Sequence, residues 1–182
     1  SDWDLVIVAT EMRPRFNLGV WELVSQHIAD GGALIVEAWY LDEISVGQIT
    51  PLLQQCGISV HGEWNRSEPY EAYSYVVYEI QPGNEFFTRP NIVKMPIIPQ
   101  IYWKSEDVGD LIKLSSDSQG RSKLLAGLYP TDTQGNGLIS SCEEGRVVFQ
   151  TFSTHDYPRE TMLQLWQNYI YNTLANTFET ME

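Results

Sequence analysis

Basic residues are scarce in this chain. Eleven lysines and arginines stand against 24 aspartates and glutamates, giving a formal net charge of -13 and a pI near 4.5. That deficit excludes DNA and RNA as partners, because phosphates are repelled over most of the surface. Nucleotides are disfavoured too, unless a metal or a helix N-terminus compensates locally; cationic partners and neutral polar ligands such as sugars are accommodated more easily. Cysteine is equally sparse: Cys56 and Cys142 have no metal-type spacing and read as buried structural thiols. No apolar run reaches the roughly 18–20 residues of a membrane span, so no membrane association is expected. No signal-peptide pattern opens the chain, and no cofactor is implied. Ser1-Asp2-Trp3-Asp4 leads straight into a core-type strand, which reads as the start of a trimmed piece that once followed a leader or a neighbouring domain.

What is present suits one globular domain spanning 1–182. The length is 182 residues, with 43% hydrophobic and 12% aromatic side chains, enough for a core of its own. Leu5 to Ala9 is a short, continuous apolar run, the pattern of a strand covered on both faces. Val20, Val24, His27 and Ile28 then recur at helical spacing until Asp30-Gly31-Gly32 stops the helix. Ala33 to Val36 reads as a second buried strand. Val46, Ile49, Leu52 and Leu53 mark a second helix, and Ile58 to Val60 a third strand. This alternation predicts a parallel, right-handed α/β arrangement.

Residues 62–109 change character, being rich in proline, aromatics and acids, and read as an irregular, partly β insertion or lid. Within it Tyr73 to Ile80 alternates like a strand, and Ile97 to Tyr102 is an edge strand or loop because of Pro96 and Pro99. Lys123 to Leu128 and Gly137 to Cys142 suggest an antiparallel pair. Gly145 to Thr151 is another strand, followed by a helix from Pro158 to Phe178. In that helix Met162, Leu165, Trp166, Tyr169, Ile170, Thr173 and Leu174 share one face.

Two local patterns carry a family likeness. One is Asp4-Leu5-Val6-Ile7-Val8, a helix, then Gly31-Gly32-Ala33-Leu34-Ile35-Val36; the other is Gly145-Arg146-Val147-Val148 ending near His155 before the last helix. Together they resemble the class I glutamine amidotransferase-like superfamily, in particular its trehalose-utilisation-type, non-amidotransferase branch. The resemblance implies a three-layer, flavodoxin-like α/β fold with a mostly parallel sheet. Amidotransferases carry a nucleophilic cysteine on the turn after the strand that Ala33 to Val36 resembles. This chain has Glu37-Ala38-Trp39-Tyr40 there, so thioester chemistry is not expected. The strand and helix that usually precede the Asp-Leu-Val-Ile segment are also missing.

In a parallel sheet, functional groups gather at the C-terminal strand ends, which would bring Glu11, Glu37, His155 and Asp156 to one edge. Glu37, His155 and Asp156 could form a general acid/base set, and the same carboxylates and imidazole could serve a hard metal; the adopted reading assigns no metal. The blander roles are an N-terminal cap for Asp156 and an exposed ion pair with Arg13 or Arg15 for Glu11. Trp39 and Tyr40, with Trp64, Tyr70, Tyr73, Tyr102 and Trp103, form an aromatic set that suits either a sugar or an interface. His27 and His61 are weaker candidates.

The sequence thus supports a non-catalytic domain holding a small polar or sugar-like ligand, or a partner, through Glu11, Trp39 and Tyr40 at the sheet edge. A homo-oligomer or a neighbouring domain of a larger chain would fit the same reading. The alternative is a hydrolase or isomerase of a sugar-like substrate, with Glu37 and His155 as the acid/base pair and Asp156 orienting.

Overall fold

Among the described residues the strands and α-helices are, in order, β1 (Leu5–Thr10), α1 (Val20–Ala29), β2 (Ala33–Ala38), α2 (Thr50–Gln55), β3 (Ile58–Asn65), β4 (Tyr78–Glu79), α3 (Glu85–Thr88), β5 (Asp107–Leu114), β6 (Ser122–Gly127), β7 (Gly137–Cys142), β8 (Val147–Gln150) and α4 (Arg159–Glu179). The computed structural model describes residues 3–10, 15–17, 19–65, 75–100, 107–116, 118 and 121–179.

β1 and β2 pair in parallel, Leu5 beside Ala33 through Thr10 beside Ala38. The crossover is α1, which buries Trp21, Val24, His27 and Ile28 on one face. Its C-terminus leaves no room for a side chain at Gly32, where a Cβ would run into the His27 ring. That ring donates from Nε2 to the Ala33 carbonyl at 2.9 Å, so His27 is a satisfied core residue rather than a site residue. Arg146 holds the same corner, donating to the Ile28 and Gly32 carbonyls at 3.1 and 2.9 Å.

The sheet is mixed, which corrects the flavodoxin-like, mostly parallel expectation. Its order is β1-β2-β8-β7-β5-β3, with β6 also on β7 and β4 on β6. Among the described strands, parallel pairing is confined to β1–β2 and β2–β8; β7 runs antiparallel to β8, β5 and β6, and β3 antiparallel to β5. Two local connections account for the change. A tight turn at Glu143–Gly145 joins β7 directly to β8, and a short link closes a hairpin with far less lost chain entropy than a crossover. The Ile58 strand, read as a third parallel member, extends to Asn65 and pairs at the far edge with β5. β5 itself begins at the Asp107-Val108-Gly109-Asp110 stretch, within what the sequence suggested was irregular.

The sheet separates two apolar cores. Leu34, Val36 and Ala38 of β2 pack with α1 and α2, while Ile35 packs with Leu165 and Tyr169 of α4, as side-chain alternation along a strand requires. Phe86, Phe87 and Val93 enter the α4 core. Asn168 and Asn172 on α4 donate to the carbonyls of Phe86, Asn91, Glu85 and Arg89, tying this segment's backbone to the helix. Of the expected Tyr73–Ile80 strand, the described residues 75–80 are regular only at Tyr78–Glu79, and Ile97 forms a single bridge to Val77. Residues 66–74 and 101–106 lie outside the described residues.

Two further expectations change. Cys56 and Cys142 are joined by a disulfide, with Cα atoms 5.4 Å apart, because the end of α2 sits against the end of β7. Leu5 to Ala9 is not covered on both faces: β1 is an edge strand, and Ile7 is 46% exposed.

Candidate functional site

Glu37 sits near the C-terminal end of β2, beside Gln150 of β8, and is only 7% exposed. A buried carboxylate needs partners, and one residue supplies both. Thr154, in the tight helical turn Thr154–Asp156 after β8, donates its backbone N–H to Glu37 Oε1 at 2.9 Å and its hydroxyl to Glu37 Oε2. The Thr154 oxygen in turn accepts the Trp166 indole N–H at 2.9 Å and the Gln150 amide at 3.2 Å. A hydroxyl has one donor and two acceptor sites, so Thr154 Oγ1 is saturated and its proton is directed at Glu37. Gln150 extends the network, accepting the Tyr169 hydroxyl at 2.9 Å and donating to the Phe152 carbonyl at 2.9 Å. Burial, with a lesser contribution from the Glu37 charge, pushes the Tyr169 phenol well above its ordinary pKa.

A cleft of about 550 Å³ opens over this network, lined by Glu37, Thr154, His155, Tyr157, Arg159, Met162, Leu163 and Trp166. Glu37 and His155 therefore share one cavity. His155 is exposed, with Nδ1 3.0 Å from the Ser153 hydroxyl oxygen. A larger cleft of about 750 Å³ lies between α1 and residues 47–55, but Glu22 is the only ionisable group among its described lining residues. The smaller cleft has the richer chemistry.

The other sequence candidates fall elsewhere. Asp156 is buried, its carbonyl accepts the Gln100 N–H at 3.2 Å, and it does not line the cleft. Trp39 and Tyr40 meet edge to face with centroids 6.4 Å apart in the turn after β2, outside the cleft lining. Trp64 is buried in the α4-side core. Glu11, Tyr70, Tyr73, Tyr102 and Trp103 lie outside the described residues. His61 is exposed on β3. Thr154, Gln150 and Trp166 were missed as site residues; Trp166 was visible only as part of a helix face, and nothing in the local sequence ties Thr154 to Glu37. Among the described residues no three of histidine, cysteine, aspartate and glutamate gather as a metal would need, and no helix is long and apolar enough to cross a membrane.

No family model and no curated protein matches this chain. Among solved structures, the N-terminal domain of mmIFT52 matches with a TM-score of 0.53 over 94% of this chain and 77% of that one, at 14% identity. At that identity the likeness shows the fold alone: the chain has the mixed-sheet fold of the mmIFT52 N-terminal domain, which replaces the flavodoxin-like, glutamine amidotransferase-like expectation.

Proposed function

We propose that this domain is a non-catalytic recognition module that seats a group of a partner or ligand in the cleft beside Glu37, Thr154 and Trp166. The state of Glu37 carries the reading. Its two oxygens accept from the N–H and the hydroxyl of Thr154, which ties the carboxylate to the turn after β8 and braces that turn. A general base needs an oxygen turned toward the substrate proton, and here the carboxylate is turned toward Thr154. Around it Tyr157, Met162, Leu163 and Trp166 provide apolar walls, with His155 and Arg159 as the polar groups, the composition of a binding cleft.

One observation favours the alternative of a hydrolase or isomerase of a sugar-like substrate: Glu37 and His155 line the same cleft. An NMR titration with indole and methyl glucoside, paired with turnover assays on nitrophenyl glycosides, separates the two. Recognition predicts that one or both probes shift the Thr154 amide and the Trp166 indole resonances, without turnover. Turnover abolished by both Glu37→Gln and His155→Ala would overturn it, and so would the absence of any shift at those resonances.

A further inference from the structure

The β1 and β3 edges of the sheet are treated differently. At the β3 edge the register shifts between Val60 and Gly62 and again between Glu63 and Asn65, and His61, Glu63 and Asn65 are exposed. Bulges and polar side chains are how a protein blunts an edge against pairing. Among the described residues, β1 has neither device. It pairs in unbroken register with β2, and its residues Leu-Val-Ile-Val-Ala-Thr carry no charge and no proline.

The direction of its backbone groups follows from one hydrogen bond. The Asp4 carbonyl accepts from Ala33 N–H at 2.8 Å. In a parallel strand successive residues turn their polar groups to opposite sides, so Val6 and Val8 also face β2, while Leu5, Ile7 and Ala9 present N–H and C=O to the open edge. These three residues stand beside Ala33, Ile35 and Glu37, and Ile35 lies in the α4-side core. Their side chains therefore share the α4 face of the sheet. On that face Ile7 is 46% and Leu163 56% exposed, and Leu5 and Trp166 are only partly buried against the core. The unpaired edge and the apolar cleft thus adjoin where Ala9 stands beside Glu37.

We infer that β1 is a strand-addition site for an extended, apolar segment bearing lysine or arginine on a partner protein, which pairs with Leu5, Ile7 and Ala9 and places a side chain in the Glu37–Trp166 cleft. Main-chain pairing supplies affinity and the cleft supplies selectivity in this mode of recognition. Charge selects the occupant. A second copy would bring another net charge of -13 against the first, and such repulsion opposes self-association. A cationic segment meets Asp4 at one end of β1 and Glu37 beside Ala9 at the other, with Arg159 as the opposing charge in the cleft.

The inference rests on the recognition reading above, and its test keeps the two apart. The probe is a fluorescent peptide of alternating valine and lysine, matched in length to β1, followed by anisotropy on the whole chain. Three comparisons accompany it: a valine–glutamate peptide, a valine–lysine peptide methylated on alternate amides, and the protein variants Ile7→Lys and Leu23→Lys. Leu23 is 73% exposed on α1, so the two variants change charge equally on different faces. The valine–lysine peptide is expected to bind, the glutamate and methylated peptides about tenfold or more weaker, and Ile7→Lys to lose about tenfold while Leu23→Lys loses much less; tenfold is about 1.4 kcal/mol. Equal loss in both variants, or indifference to amide methylation, would overturn strand addition. Failure of the peptide to bind while indole still shifts Trp166 would overturn this inference and leave the recognition reading standing. A wild-type dimer that Ile7→Lys dissolves would overturn the choice of occupant in favour of a second copy.

Discussion

Glu37 and Thr154 are 117 positions apart in the sequence, and Thr154 binds both oxygens of the Glu37 side chain. One residue thereby ties the C-terminal end of β2 to the turn that leads into α4. Replacing Thr154 by valine keeps its shape and backbone N–H but removes the hydroxyl. The Trp166 indole, the Gln150 amide and one Glu37 oxygen then each lose a hydrogen bond, at a cost of about 0.5–1.5 kcal/mol per bond. Thr154→Ser, which keeps the hydroxyl, is expected to stay within about 1 kcal/mol of wild type. Urea unfolding of the pair reads the difference; equal midpoints would show that the network contributes nothing to stability.

The Tyr169 phenol titrates in the same network. Burial, then the Glu37 charge, raises its folded-state pKa, whereas in the unfolded chain it ionises near pH 10. The stability it contributes is therefore fully present below about pH 10 and is lost as pH rises from there toward the folded value. Tyr169→Phe should flatten this alkaline decline while costing about 0.5–1.5 kcal/mol at neutral pH for the lost bond to Gln150. Urea midpoints measured across the alkaline range check it, and parallel curves for the two proteins would refute it.

Asp132 gives the acid counterpart. Burial raises its carboxyl pKa, but this is outweighed by hydrogen bonds from the Gly135 N–H, the Asn136 side chain and the Gln134 N–H, helped by His61, so the net shift is downward. Its contribution is present above the unfolded pKa of about 4 and lost as pH falls through the lower folded value. Asp132 is half-buried near the surface, so Asp132→Asn should cost less than about 1 kcal/mol at neutral pH. The variant should also show a shallower loss of stability on acidification, measured by thermal unfolding.

The strands and helices that were legible were those written in contiguous residues. β1, β2, β8, α1 and α4 each declare themselves by an apolar run or a helical face, and the β6–β7 antiparallel pair by two short runs around a glycine-containing turn. Sheet order was not legible, because parallel and antiparallel neighbours look alike along a single strand. β3 could sit beside β2 or at the far edge until its partner β5 was known, and β5 begins with Asp107-Val108-Gly109-Asp110, which resembles a loop. The site was half legible for the same reason. Glu37 and His155 could be placed at strand ends, but a hydrogen bond spanning 117 positions leaves no trace in spacing. The cysteines carried no spacing signal for their disulfide either.

That disulfide bridges 86 positions, a long loop whose closure restricts the unfolded chain. Its reduction should lower stability by about 2–4 kcal/mol. The paired variant Cys56→Ala with Cys142→Ala should unfold at the reduced protein's urea midpoint, shifted by the cavity that two buried sulfurs leave. A midpoint insensitive to a phosphine reductant, with thiol titration confirming reduction, would refute the expected stabilisation.

The turn before α2 offers the opposite result, a substitution that stabilises. Ser45, Val46 and Gly47 follow one another with φ of 53°, 60° and 81°. Glycine fits this left-handed region freely, but an ordinary L-residue loses about 1–2 kcal/mol there, and a β-branched one is poorly suited to it. Ser45 has compensation: it is buried, and its hydroxyl accepts the Phe16 N–H at 3.1 Å. Val46 is 76% exposed, so packing returns little of the strain. Val46→Gly relieves the strain but gives back about 0.4–1 kcal/mol through the freer unfolded chain. Val46→Asn tolerates the conformation without that entropy loss. Both should raise the urea midpoint at an unchanged slope, Asn at least as much as Gly, whereas Ser45→Gly should lower it by removing the Phe16 acceptor. A lower midpoint for both Val46 variants would mean that its side chain holds this turn through contacts worth more than the backbone strain it carries.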